Sequence, residues 1–343
     1  MRLSRDYKTA YKDVSSRYTF GQTLFTGTLL AATMKVLLTG TSGNLGSRVL
    51  QSFLDLNLVP TTDLVISTSS PQKVATIAKQ NDIQVVPGDF TNPDQLRQSF
   101  VDSKADILFL VSYPSPSDDR WLHHKTAIDA AKQSGCIKLI AYTSLMFGGE
   151  TGMQSVAGVQ QAHIKTVNYL SQSGMEYVVL REGIYAESWW LYAGFQPQPL
   201  PKGEKEKIEF VIPDDGPVAW VSWDDLGEGT AKILAQLAKG EKKWIGQTLN
   251  LTGSETATLK DVARLVEKYS GREVEVKLVG KEKAKEYHLK DGEKEEWLVS
   301  SWVGWFDGIR EGECQVVDPL LQEVLGRQPK GVSECAQALF TPQ

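Results

Sequence analysis

The sequence is short of several things, and each absence narrows what the chain does. It has three cysteines, Cys136, Cys314 and Cys335, widely spaced and without a CxxC pair. That excludes a disulfide framework and a cysteine-based zinc site, and points to a reducing, cytoplasmic setting. No run of about 18 apolar residues is present, so no membrane-spanning helix is expected. There is no basic excess: 37 Lys and Arg stand against 42 Asp and Glu, for a formal net charge of −5. A general nucleic-acid binder would carry the opposite balance. No internal repeat or low-complexity tract is visible. The Asn250-Leu251-Thr252 triplet has the form of a glycosylation acceptor but falls in an expected strand, where chance explains it better.

What is there is ample material for a core. Hydrophobic residues make up 41% of 343 residues, enough for two domains or one large domain with a lobe. The first 33 residues stand apart. They carry Arg2, Arg5, Lys8, Lys12 and Arg17 against Asp6 and Asp13, with many hydroxyl residues. This is the composition of an organelle-targeting leader or of a disordered extension; the extension is the simpler reading, because Met34-Lys35-Val36-Leu37-Leu38 opens a strand at once.

From Lys35 short apolar runs alternate with helical stretches. Strands are expected at 35–39, 64–67, 83–86, 107–111, 137–142 and 177–180. Helices are expected at 45–56, 71–80, 92–101, 118–134 and 155–173, the last two closed by Gly135 and Gly174. Apolar strands without polar alternation are buried on both faces, and strand–helix repetition forces parallel pairing. The expected fold is α/β, a doubly wound parallel sheet over 34–185, with a smaller, mostly helical lobe over 186–343 that lends some strands to the core. In that second part we expect strands at 218–221, 248–251 and 274–279. Helices are expected at 224–239 and at 258–270, the second capped by Thr258. The charged stretch from Lys281 to Glu296 reads as a solvated helix face.

The strongest chemical signal is Thr39-Gly40-Thr41-Ser42-Gly43-Asn44-Leu45-Gly46, directly after the first strand. Gly40 permits the turn, Gly43 lets the backbone approach a diphosphate, and Gly46 lets the helix pack on the sheet. Free amides at the helix start meet the anion. This is a dinucleotide site. The second strand ends in Ser67, Thr68, Ser69, Ser70 and Lys73 with no carboxylate to hold a ribose diol, which favours NADP(H) over NAD(H). Asp89 and Phe90 end the third strand, either against the adenine or as a helix-capping turn. Val111, Ser112 and Tyr113 run beneath the middle of the cofactor, with Thr143 beside them.

These residues together resemble the NmrA-like group of atypical short-chain dehydrogenases/reductases, nearest the NADPH:quinone oxidoreductase and triphenylmethane reductase type. The likeness is carried by 39–46, by Leu139–Leu145, by 162–166 with 173–177, and by 180–188. It covers residues 34 to about 280 and fades in the tail. It implies NADPH binding and two-electron reduction of a quinone or similar flat acceptor in a cleft between sheet edge and lobe. The chain departs from its relatives where many carry an arginine and this one has Ser69.

Ordinary short-chain dehydrogenases use a Tyr-x-x-x-Lys pair in which the lysine lowers the tyrosine pKa. Residues 154–165 contain no tyrosine, and His163 falls near the lysine position. Candidate catalytic groups are therefore His163, Tyr142, Ser144 and Tyr185, with Thr143 near them. Trp189, Trp190, Tyr192 and Phe195 either stack on a flat acceptor or form core. Two alternatives stand beside the reductase. One is a redox sensor that binds the dinucleotide and acts through a protein partner, with Trp297, Trp302, Trp305 and Phe306 as partner surface or lobe core. The other is a biosynthetic reductase of one specialised metabolite.

Overall fold

The computed structural model describes residues 33–115, 119–204 and 206–343. The expected extension at 1–33 lies, except for Thr33, outside the described residues. The first strand, β1 (Val36–Leu38), feeds the glycine turn and helix α1 (Asn44–Asp55). The alternation continues through β2 (Leu64–Thr68), α2 (Ala75–Gln80), β3 (Gln84–Pro87), α3 (Pro93–Ser103) and β4 (Ile107–Leu110). Then follow α4 (Asp119–Ser134), β5 (Leu139–Leu145), α5 (Gly158–Gln172) and β6 (Glu176–Glu182). A short helix, α6 (Trp189–Tyr192), precedes β7 (Ile208–Ile212), α7 (Trp223–Ala238), β8 (Thr248–Leu251) and α8 (Leu259–Ser270). The chain ends with β9 (Val274–Leu278), α9 (Lys281–Leu289), α10 (Glu296–Arg310), α11 (Leu320–Leu325) and α12 (Val332–Phe340).

Seven strands form one parallel sheet in the order β3-β2-β1-β4-β5-β6-β8. Successive residues of a strand face opposite sides of a sheet, and here both sides are covered. Leu38, Ile66, Phe109 and Leu180 pack in the core that includes α1, α7 and α11. Leu37, Val65, Leu108 and Val179 pack in the core that includes α3, α4 and α5. This is why the strands read as unbroken apolar runs. The order of connection reverses between β1 and β4, so a crevice opens at the carboxyl ends of those strands.

The region after residue 185 serves two bodies. Helix α7 packs on α1, and β8 extends the sheet beside β6. The rest builds a third core around Trp189, Phe210, Trp220, Trp302, Phe306 and Phe340, with β7 and β9 paired in parallel beside it. Four local expectations change. Ile208–Ile212 is a strand, hidden in a segment that reads as proline- and aromatic-rich loop. Residues 218–221 form no strand; they make single bridges, Val218 to Ala257 and Val221 to Tyr185. The fifth helix begins at Gly158 rather than Ser155, because Gly148, Gly149 and Gly152 all take left-handed φ and shape a loop first. The charged stretch is not one helix: α9 stops at Leu289, and α10 starts at Glu296.

Candidate active site

The glycine turn has the form its sequence demands. Gly40 sits at φ +67°, and a Cβ there would lie 2.9 Å from Val111 Cβ. A Cβ on Gly46 would lie 2.3 Å from the Gly40 carbonyl oxygen, so only glycine lets α1 start this close to the turn. Gly43 caps α1 without a side-chain hydrogen bond, which leaves the first-turn amides for a ligand. Thr41 Oγ1 is buried with no partner. An orphaned hydroxyl beside a bare backbone cradle fits the diphosphate of a dinucleotide. Asn44 opens the helix, while Leu45 is buried in the sheet core.

Two hollows flank the cradle. A cavity of 360 Å³ lies between the ends of β2 and β3, lined by Thr68, Ser69, Pro71, Gly88, Asp89 and Gln95. A second, of 570 Å³, lies between α1 and α2 and contains Thr41 and Lys73. Ser69 and Lys73 thus line different hollows. Ser67 is buried and donates to the Pro87 carbonyl (3.3 Å), so its hydroxyl ties β2 to β3. Ser70 precedes the turn at 71–73, and its amide donates to Thr68 Oγ1 (3.0 Å). Asp89 Oδ1 accepts from the Thr91 amide (2.8 Å) and hydroxyl (2.7 Å), and these bonds hold its carboxyl below the usual range. Phe90 lies 5.8 Å from Tyr113, which lies 4.1 Å from the His123 ring.

Past β4 the chain is held by two threonines. Thr39 Oγ1 accepts from the Val111 amide (2.9 Å), and Thr143 Oγ1 accepts from the Ser112 amide (2.8 Å). Beneath this segment lies a buried polar chain. Tyr142 Oη is 2.8 Å from His163 Nδ1 and 3.3 Å from His124 Nδ1. His124 Nε2 accepts from the Tyr113 amide (2.9 Å), and its Nδ1 is 2.8 Å from Thr166 Oγ1. Arg120 Nη1 donates to His163 Nε2 (3.1 Å), and Arg120 Nε donates to the Ser115 carbonyl (2.5 Å).

The charges in this chain are fixed by burial. Burial, then the Arg120 charge, pushes His124 down to about 3 and His163 well below 6.5. Both rings are neutral at working pH. Because each accepts at Nε2, each carries its proton on Nδ1. Burial also raises the phenols of Tyr142 and Tyr185 above 10. Neither is the low-pKa tyrosine of a Tyr-x-x-x-Lys pair. Ser144 is buried on β5, and Tyr185 is half-buried, 5.8 Å from Trp223.

The structure brings together Tyr142, His163 and the segment from Val111 to Tyr113, and adds two residues that sequence reasoning passes over, Arg120 and His124. They lie four apart on α4, in line with buried Ala127, Ile128 and Ala131. Polar residues continuing an apolar helical stripe are the signal that marks them. Of the four aromatics after β6, Trp189 and Tyr192 are core: Trp189 meets Phe340 edge-on and Phe210 at a tilt, and Tyr192 meets Trp220 edge-on and Trp305 at a tilt. Trp302 and Phe306 are core as well, whereas Trp297 is exposed.

The loop after β5 is clamped from two sides. Buried Arg181 donates to the carbonyls of Phe147, Gly149 and Glu150 and to Asn250 Oδ1, all within 2.6–2.8 Å. The Glu313 carboxylate accepts from the Gly148 and Val156 amides and from Ser155 Oγ.

Fold and cradle define a dinucleotide-binding protein of the doubly wound type. Comparison with known proteins narrows this. The family model for NAD(P)H-binding matches residues 40–188. The NmrA-like family domain-containing oxidoreductase flvB of Aspergillus flavus is 28% identical over 300 residues, 86% of this chain and 92% of that protein. An NADPH-dependent quinone oxidoreductase of Escherichia coli, solved with NADPH, superposes with a TM-score of 0.75 at 26% identity, covering 89% of this chain and 100% of that one. The triphenylmethane reductase of Citrobacter sp. with NADP(H) shares the fold at a TM-score of 0.74 and 22% identity, covering 89% and 99%. Residues 40–188 thus match an NAD(P)H-binding domain, and most of the chain is similar to an NmrA-like oxidoreductase. Among the described residues no helix is long and apolar enough to cross a membrane, and no cluster of acidic, histidine or cysteine side chains is placed to hold a metal ion.

Proposed function

We propose that the chain is an NADPH-dependent oxidoreductase that passes hydride to a flat, conjugated small molecule of the quinone class. The observation that carries this reading is the Gly40–Gly46 cradle with its orphaned Thr41 hydroxyl, set at the crevice where β1 and β4 diverge. The quinone and dye reductases that share the fold supply the acceptor class.

When bound, the dinucleotide supplies hydride; the protein supplies position and charge. First-turn amides of α1 and Thr41 hold the diphosphate. Thr68 and Ser69 face the adenosine across from Gly88 and Asp89, and Lys73 adds positive charge near Thr41. With no carboxylate at the end of β2, a 2′-phosphate is accepted, so NADPH is preferred over NADH. Val111, Ser112, Tyr113 and Thr143 support the middle of the cofactor. Tyr185 and Ser144 border the acceptor.

The reaction runs without a Tyr-x-x-x-Lys pair. Reduction of a quinone leaves charge on a phenolic oxygen whose ordinary pKa is near 10. Such an anion is tolerable near neutrality, and water protonates it. No side chain with a matched pKa is then required, which agrees with the raised phenols and neutral histidines.

The test is a fluorescence titration of the purified chain with NADPH and NADH, followed by NADPH oxidation with a graded set of quinones. Binding of NADPH with turnover of at least one quinone is expected. Tight binding with no turnover on any acceptor replaces the reductase by a dinucleotide sensor.

A further inference from the structure

We propose that Arg120 is the group that meets the acceptor oxygen as hydride arrives, and that His163 is the positioning residue that holds it there. This rests on the reductase reading above and names the electrostatic partner that reading lacks.

The argument starts from place. Arg120 stands in the first turn of α4. Its guanidinium is tied to the Ser115 carbonyl, beyond β4, and to His163 Nε2 on α5. Tyr142 of β5 and Tyr185 beyond β6 are both within its electrostatic reach. Its bonds to Ser115, just past β4, and to His163, which contacts Tyr142 of β5, put it beside the carboxyl ends of β4 and β5, on the edge that also carries the glycine cradle. This is the region toward which a Tyr-x-x-x-Lys pair on the helix after β5 would project. The chain has no tyrosine there, but it has a half-buried cation.

Chemistry selects the role. Arginine does not give up its proton at working pH, so Arg120 is no general acid. Its contribution is a fixed positive charge with planar donors, worth more in a partly desolvated cleft than in water. Hydride from the reduced nicotinamide, which is left as the oxidised pyridinium, adds to a ring carbon of the quinone, and the conjugated π pairs move onto a carbonyl oxygen. The enolate rearomatises as the ring C–H proton passes through water to the second oxygen, and the remaining phenolate takes its proton from water. Arg120 offsets that negative charge. A cationic triarylmethyl acceptor differs: hydride neutralises the cation at carbon, no oxyanion forms and no proton is needed. Arg120 gives that reaction no help, and its charge opposes binding of the cation.

His163 does not reach the acceptor. It is 2% exposed, and both ring nitrogens are engaged. Neutral, it offers Nε2 to the guanidinium and donates Nδ1–H to Tyr142 Oη. His124, bonded to the Tyr113 amide and to Thr166, braces the far end of the chain, and Thr166 is anchored to the Ala162 carbonyl (2.7 Å). A protonated His163 would lose the acceptor that holds Arg120. Burial among Arg120, His124 and Arg181 keeps it neutral.

Three variants and two readouts test the proposal. In Arg120→Met, kcat/KM for a benzoquinone should fall about 100-fold, the order found when one oxyanion donor is removed. Turnover of a cationic triphenylmethane dye should hold or rise, and NADPH affinity should change little. Arg120→Lys, which keeps charge but not the fork, should fall between. The second readout needs neither cofactor nor turnover: calorimetry with 4-nitrophenolate and neutral 4-nitroanisole. The native chain should prefer the anion. Arg120→Met and His163→Leu should lose that preference, while His163→Gln, which still accepts from Arg120 and donates to Tyr142, should keep most of it. Equal loss of quinone and dye turnover, or an anion preference that survives in Arg120→Met, overturns the assignment. A native chain that binds no NADPH removes the reductase reading instead, and the nitrophenolate comparison still decides Arg120.

Discussion

Glu313 and Gly148 are 165 residues apart in the chain and are joined by a 2.9 Å hydrogen bond from the glycine amide to the carboxylate. The same carboxylate holds Ser155 and Val156, so a residue beyond α10 fixes both ends of the loop that follows β5. Arg181 holds the middle of that loop by its carbonyls. An anion on the amides and a cation on the carbonyls leave it little freedom.

Replacing Glu313 with glutamine should therefore loosen the loop. Charge-assisted bonds of this kind are worth about 2 kcal/mol each. Thermal unfolding should move down by several degrees, and the KM for the acceptor should rise more than the KM for NADPH. Unchanged melting would show that the clamp contributes nothing.

Gly43 tests the cradle. Its φ of −98° is open to any residue, and a Cβ would lie 3.3 Å from the Gly40 oxygen. Gly43→Val should keep the circular dichroism and most of the melting temperature while NADPH affinity drops at least 100-fold, the loss expected when a backbone approach to phosphate is blocked. Retained affinity would place the diphosphate elsewhere.

Buried His124 and His163 predict acid lability. Their folded pKa values lie below the ordinary 6.5, with His124 at about 3. The unfolded chain thus binds more protons between these values, so stability is complete above 6.5 and declines as pH falls toward 3. Each ring contributes a slope of up to about 1.4 kcal/mol per pH unit. Denaturant midpoints measured from pH 7 to 4 should fall, and His124→Asn should flatten the dependence.

Glu182 acts with the opposite sign. It is buried at the end of β6, its Oε1 bonded to Thr230 and its Oε2 without a partner, and burial lifts it to about 8. Here the folded state holds the proton more tightly. The stabilisation is complete below 4.5 and is lost as pH climbs toward 8. Glu182→Gln should match the native chain near pH 4.5 and exceed it at pH 8 by a few kcal/mol, read from chemical denaturation. A variant less stable at pH 8 would mean the ionised carboxylate has a partner in solution.

Much of the fold is legible from residues 34–185, because strands buried on both faces and helices closed by Gly135 and Gly174 leave plain local signals. The cradle is legible for the same reason: it is built from contiguous residues whose backbone needs are visible in their names. The chain from Arg120 through His163 to Tyr142 and His124 is not. It draws on α4, β5 and α5, and only packing reveals that these four side chains touch. Ile208–Ile212 escapes for a related cause. Its partner Val274–Leu278 lies more than sixty residues on, and no nearby repeat of strand and helix announces it.

The return of α7 and β8 to the sheet has a practical meaning. Val178 and Leu180 share their core with Leu226, Leu234, Leu249 and Leu251. A gene fragment that stops after Tyr185 would encode every residue proposed to hold the diphosphate yet leave that flank of greasy side chains open to water. Such a fragment should clump rather than bind nucleotide, so anyone trimming this protein for expression must keep at least the stretch through Leu325.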